Sequence, residues 1–102
     1  MNLALLLLLA GLSLAQPGDG AGARIEPGDS INLGIENVTE AEKKAIDGHY
    51  PISSKGIVNL PYIGKVTVRG MTAEQARDAI QGAYKNNKAF KDPRVKLELV
   101  ET

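Results

Sequence analysis

The stretch Gly56-Ile-Val-Asn-Leu-Pro-Tyr-Ile-Gly-Lys-Val-Thr-Val-Arg-Gly-Met-Thr-Ala-Glu-Gln-Ala76 sets the tightest limits on what this chain can fold into. Glycines at 56, 64 and 70 and a proline at 61 leave no uninterrupted run longer than five residues before Met71. Pro61 removes a ladder donor, so the segment splits into a short strand at Ile57–Leu60 and a second at Tyr62–Val68. Val66 and Val68 then share one face of the second strand. Arg69-Gly70 turns the chain, and Thr72 with Gln75 forms a capping box that opens a helix. Any other element has to pack against this strand, break, strand, turn and helix.

The helix continues in a regular pattern. Ala76, Ala79, Ile80, Ala83 and Tyr84 recur at the spacing of one helical face, which predicts a main helix over residues 72–86. Its small alanines let the axis lie close to a sheet, with Ile80 and Tyr84 supplying most of the apolar area. A second capping box, Thr39-Glu-Ala-Glu42, starts a short helix over 40–47, with Lys43 and Lys44 near its end and Gly48 placed as a C′ glycine. Thr39 also completes an Asn37-Val-Thr glycosylation sequon, though the cap is the better use of that hydroxyl.

Strands frame both helices. Pro27-Gly28-Asp29 is a tight turn, after which Ile31, Leu33 and Ile35 alternate with polar or small residues. Gly34 within this strand marks a bulge or a close backbone approach. His49–Ser53 reads as an edge strand because of Pro51. Asp92-Pro93 is a turn, and Val95, Leu97 and Leu99 alternate with Lys96 and Glu98 in a last half-exposed strand. The expected fold is α+β: a small two-layer domain of short strands in a mixed sheet, with the main helix packed across it.

The N-terminal residues are of another kind. Residues 1–15 read as a secretory signal peptide, with an apolar run from Leu3 to Leu9 and cleavage between Ala15 and Gln16. That run is too short to span a membrane. Residues 16–23, rich in Gly and with Pro17, form a flexible linker, so the folded domain is expected over 24–102. The sequence holds no Cys, which denies the chain both disulfides and a Cys-borne lipid anchor. Twelve basic residues balance twelve acidic ones without a basic stripe, which argues against nucleic acid as a partner.

Catalytic chemistry has little to work with. His49 is the one histidine and has no metal-ligand companions at useful spacing. Glu40, Glu42 and Glu74 complement helix dipoles. Gly64 to Gly70 lacks the Lys-Ser/Thr ending of a phosphate loop. No cofactor and no enzymatic activity are expected. Among the tyrosines, Tyr84 falls on the core face, whereas Tyr62 beside Pro61 is the candidate surface contact for a glycan.

Four segments together resemble the polysaccharide export domain of outer-membrane capsule and exopolysaccharide translocons, the Wza-like family. They are Ile25-Glu-Pro27-Gly28-Asp29, Gly56-Ile-Val-Asn-Leu60-Pro61-Tyr-Ile-Gly64, Gly70-Met-Thr72-Ala-Glu-Gln-Ala76 and Asp92-Pro93-Arg-Val-Lys-Leu97, in the family's order. The resemblance implies a non-catalytic periplasmic component of polysaccharide export, associated with the outer membrane. Its implied partners are the polysaccharide and either further copies of the chain or larger relatives in a ring. The family often has Asp where Lys55 stands. The lipidated Cys, β-grasp domains and C-terminal amphipathic helix of longer relatives have no counterpart in these residues. The rival expectation is a free-standing periplasmic module that binds a glycan or an envelope protein and transports nothing.

Overall fold

The computed structural model describes residues 23–101. The expected signal peptide, its expected cleavage point at Ala15 and Gln16, and all of the expected linker except Ala23 lie outside the described residues. Five strands and two helices follow in the order β1 (Ser30–Glu36), α1 (Glu40–Ile46), β2 (Gly48–Pro51), β3 (Ile57–Leu60), β4 (Gly64–Thr67), α2 (Ala73–Asn86) and β5 (Arg94–Val100). The class is α+β, as the alternation of capping boxes and period-two runs implies.

The strands do not form one mixed sheet. They form two antiparallel pieces: a three-stranded sheet in the order β2-β1-β5, and the β3–β4 hairpin. Alternation identifies strands but not their partners, and here every pairing is antiparallel. Pro51 ends β2, and Ser53 then builds a turn in which its Oγ accepts from the amides of Lys55 and Ile57. The hairpin therefore starts afresh at Ile57 instead of extending β2.

Three other expectations change in detail. The second strand of the hairpin begins at Gly64, because Tyr62 adopts a left-handed φ of 72° and belongs to the turn. Helix α1 stops at Ile46, and Gly48 pairs with Leu33 as part of β2 and is not a C′ residue. Gly34 marks no bulge: β1 and β5 pair without interruption from Ser30–Val100 to Glu36–Arg94. A Cβ at Gly34 would meet Asp47 Oδ1 at 3.9 Å, an ordinary contact.

Both capping boxes form. Thr39 Oγ1 accepts from the Glu42 amide while Glu42 accepts from the Thr39 amide. Thr72 and Gln75 do the same for α2. The core joins Ile31, Leu33 and Ile35 of β1 with Ile46 of α1, Val58 and Leu60 of β3, Val95 of β5, and Ala76, Ile80 and Tyr84 of α2. Ala76, Ile80 and Tyr84 are fully buried, which places α2 by the face its sequence period selects. Burying a side chain of Ile80's size stabilises the fold by about 1.5–3 kcal/mol.

Helix α1 has a second task that its sequence does not announce. β1 outruns β2, whose last pair is Leu33–Gly48, so Ile35 has no strand neighbour on that side. The Ile35 amide donates to Asp47 Oδ1 at 2.8 Å, and Lys43 Nζ donates to the Ile35 carbonyl at 2.9 Å. Two side chains at the end of α1 thus replace a missing strand, and a buried backbone pair is satisfied. Lys43 also pairs with Glu36 at 2.7 Å and Asp47 at 3.1 Å. Partial burial pushes the Asp47 carboxyl up, but the Ile35 amide and Lys43 outweigh it and hold the group below its ordinary value. Bonding to Lys43 lowers Glu36 in the same way.

A carboxyl whose folded pKa is depressed stabilises the fold above its unfolded pKa of about 4 and loses that contribution as pH falls through the folded value. Asp47→Ala should therefore cost about 1 kcal/mol at pH 7, the low end for a charge-assisted bond because the side chain is 38% exposed. Denaturant titrations of both proteins should converge as the pH drops well below 4. A difference that persists undiminished in acid would contradict this role.

Candidate functional site

The residues of the first three motif segments separate into two groups at opposite ends of the β3–β4 hairpin. At the open end, backbone meets backbone. Asp29 accepts the Glu26 amide on its carboxylate while its own amide donates to the Glu26 carbonyl, closing a turn with Pro27 second and Gly28, at φ 95°, third. This is the arrangement of a type II turn, which requires positive φ at that glycine. Gly28 N–H then donates to Ile52 O, and Ile52 N–H to Asp29 O. Ile25 exchanges bonds with the 70–71 segment: its amide donates to Met71 O and its carbonyl accepts from Gly70. Arg24 reinforces the junction through a guanidinium bond of 2.9 Å to Gly70 O. Sequence reading began the folded domain at Arg24 and counted Ile25 in the first motif but could not see that residues some 46 positions away would be their partners.

Gly56 lies at the centre of this junction. Its carbonyl accepts from both Val68 and Arg69, at 2.9 and 3.1 Å, and its φ is 77°. A Cβ there would fall 2.3 Å from Arg69 Cβ. Gly56 is required by backbone space as well as by its φ, whereas Gly70, at φ 79° with open space around a would-be Cβ, is favoured by backbone conformation alone. Thr72 and Ala76 start α2 just beyond. None of these residues presents a reactive side chain outward.

At the closed end, Leu60 pairs with Gly64, leaving Pro61, Tyr62 and Ile63 as the connecting loop. An aromatic residue with positive φ costs roughly 1–3 kcal/mol and persists only where neighbours fix it. The C-terminal part of α2 does so. Tyr84 Oη donates to Pro61 O at 2.9 Å, and Asn87 Nδ2 donates to Tyr62 O at 3.1 Å, so two consecutive carbonyls are held by one helix end. The rings form a chain as well. Tyr62 meets Phe90 edge-on with centroids 5.3 Å apart, and Phe90 meets Tyr84 edge-on at 5.5 Å. Such pairs add about 0.5–1.5 kcal/mol each beyond area burial.

Exposure distinguishes the three rings. Tyr84 is wholly buried and Phe90 nearly so, whereas Tyr62 is 51% exposed and is the large apolar side chain most open to solvent among the described residues. Burial pushes the Tyr84 hydroxyl above its ordinary range, so it stays a neutral donor to Pro61 at any physiological pH. Tyr62 offers a half-exposed ring that is braced by Phe90. Phe90 also lines a shallow hollow of about 430 Å³ with Val38, Glu42 and Lys91. Neither Phe90 nor Asn87 was assigned to the site from sequence. The signal was present only in the local Asn87-Lys88-Ala89 turn, where the side-chain Oδ1 of Asn87 accepts the Ala89 amide and so orients its NH2 group.

Elsewhere the chemistry is sparse. His49 Nδ1 lies 2.7 Å from Asn32 Oδ1 on the exposed face of β2 and β1. Among the described residues no three His, Cys, Asp or Glu side chains gather as a metal site would require. Asp92 and Pro93 serve the turn before β5: Asn37, itself at φ 67°, donates its side-chain amide to Asp92 O at 2.9 Å, and Pro93 is buried. No helix among the described residues is long and apolar enough to cross a membrane.

The Tyr84–Pro61 bond gives a direct prediction. Tyr84→Phe keeps the ring stack and removes one donor, and should lower stability by about 1–2 kcal/mol. Amide exchange should accelerate at Ile63 and Gly64 while α2 stays protected. Equal exchange in both proteins would mean that the loop is fixed by something else.

Comparison with known proteins agrees with the motif pattern. A search of curated proteins returns no match. A family model described as polysaccharide biosynthesis/export protein matches residues 17–100, which include every motif residue described above. With that model covering most of its length, the chain belongs to the polysaccharide biosynthesis/export protein family.

Proposed function

We propose that the protein is a non-catalytic component of polysaccharide export in the cell envelope, delivered to the periplasm by residues 1–15 and cleaved between Ala15 and Gln16. There it contributes to an outer-membrane translocon ring, by self-association or by docking to larger members of the family. The family match over residues 17–100 carries this reading. Two features support it. The motif residues are spent on backbone geometry, and charge is balanced at twelve against twelve, which suits an assembly part better than an enzyme or a nucleic-acid binder. Deleting the gene should reduce surface polysaccharide, and the protein should fractionate with the envelope in a complex larger than the monomer. Unchanged polysaccharide together with a soluble monomer would overturn the reading.

One observation favours a second reading, a free-standing module that binds a glycan. The half-exposed Tyr62 ring, braced by Phe90 and by two backbone bonds, is the kind of rigid aromatic face on which a sugar ring stacks. In that case a monomer would bind oligosaccharides, and Tyr62→Ala would abolish binding while lowering stability by only about 1 kcal/mol, the worth of the lost edge contact with Phe90, so that the fold survives.

A further inference from the structure

The balance of twelve basic and twelve acidic residues conceals an uneven distribution. Neither residues 48–73 nor residues 79–91 contain an Asp or a Glu, and both stretches help to build the Tyr62 end of the β3–β4 hairpin. Lys65 lies on β4 just past the loop. Lys85 follows Tyr84, which bonds Pro61 O, and Lys88 follows Asn87, which bonds Tyr62 O. Lys91 follows Phe90, whose ring meets that of Tyr62. All four lysines are exposed. Among the described residues none of the four joins an ion pair, whereas Lys43, Arg77 and Arg94 all do. The acids that bound the second stretch are already engaged, Asp78 with Arg77, and Asp92 with Arg94 and the Asn37 side chain. Lys91 shares its hollow with Glu42, which leaves Lys65, Lys85 and Lys88 as the uncompensated charges beside the Tyr62 loop.

The helix dipole accounts for only part of this. Its negative end favours Lys85 in the last turn of α2, but the effect falls off within that turn. It gives no reason for Lys88 beyond the helix or for Lys65 on another element. Building on the reading of Tyr62 as a glycan contact, we propose that the glycan is an anionic polysaccharide. A sugar ring lies against the Tyr62 ring, and acidic groups of the polymer meet Lys65, Lys85 and Lys88. Each acidic sugar presents an apolar ring face and a charge together, which matches one exposed aromatic set beside point charges on long, adaptable stems. Nucleic acid fits less well. Single-strand binders stack successive bases on several aromatic side chains, and Tyr62 is the one large apolar side chain exposed among the described residues. The match to a polysaccharide biosynthesis/export family favours the glycan as well. Exposed lysines each contribute little and are screened by salt, so the polymer is attracted without being held fast.

Calorimetric titration of the purified protein should show binding to acidic hexasaccharides of polygalacturonate, alginate or hyaluronan. The same sugars with their carboxyl groups reduced should bind about tenfold more weakly or worse. The triple variant Lys65→Gln, Lys85→Gln, Lys88→Gln should lose about tenfold in affinity for the acidic sugars, and added salt should weaken the unsubstituted protein in the same direction. Lys55→Gln, at the opposite end of the hairpin, should leave binding unchanged, and Tyr62→Ala should abolish it. Far-ultraviolet circular dichroism checks that each exposed substitution leaves the fold intact. Equal affinity for acidic and reduced sugars would overturn the proposal and leave Tyr62 as a contact for neutral glycans. Binding to neither form would overturn that contact too. Oligothymidylate bound as tightly as the acidic sugars, or a loss in Lys55→Gln equal to that of the triple variant, would reduce the effect to general positive charge and overturn the proposal.

Discussion

One backbone contact holds this domain in its shape: the carbonyl of Gly56 bonded to two successive amides, Val68 and Arg69, with the Arg69 side chain packed where a Cβ would be. The contact closes the open end of the β3–β4 hairpin. It also directs the chain into Gly70, whose amide bonds Ile25 and whose carbonyl receives Arg24. Two residues further on, Thr72 caps α2. The direction of the main helix, the docking of the segment before β1 and the pairing of the hairpin thus depend on a site that tolerates no side chain. A glycine with positive φ and no free volume is a geometric requirement of two kinds at once.

The opposite end of the hairpin shows what this rigidity achieves. Tyr62 sits in a left-handed conformation that an aromatic residue adopts only under constraint, and α2 supplies the constraint through Tyr84, Asn87 and Phe90. Helix α2 is anchored at its start by the Gly56–Gly70 junction and at its end by the Pro61–Tyr62 carbonyls. An exposed ring is thereby carried on a fixed support.

Much of this was legible in the residues. Both helices start where Thr39 and Thr72 predicted, because a capping box is satisfied within four residues and needs no tertiary information. The buried face of α2 follows from its period, and the exposure of Tyr62 against the burial of Tyr84 follows from where each falls in its pattern. What escaped depends on partners distant in sequence. The sheet is antiparallel and divided because strand identity is local and strand pairing is not. Asp47 and Lys43 read as ordinary residues at a helix end, yet they complete the unpaired edge of β1 at Ile35. Gly48, a plausible helix stop, is drawn into pairing with Leu33 instead. Phe90 lay in an unassigned loop, and only the fold shows that it joins Tyr62 to Tyr84.

The central claim is that the glycine motif is a backbone necessity on which the remaining architecture rests. Thermal unfolding of Gly56→Ala tests it most directly. A left-handed φ costs a Cβ-bearing residue about 1–2 kcal/mol, and relieving the overlap with Arg69 costs about 1–3 more. At roughly 4–8 °C per kcal/mol for a domain of this size, the melting temperature should fall by at least about 8 °C. A melting temperature within about 2 °C of the unsubstituted protein, for which each kcal/mol would have shown clearly, would contradict the account.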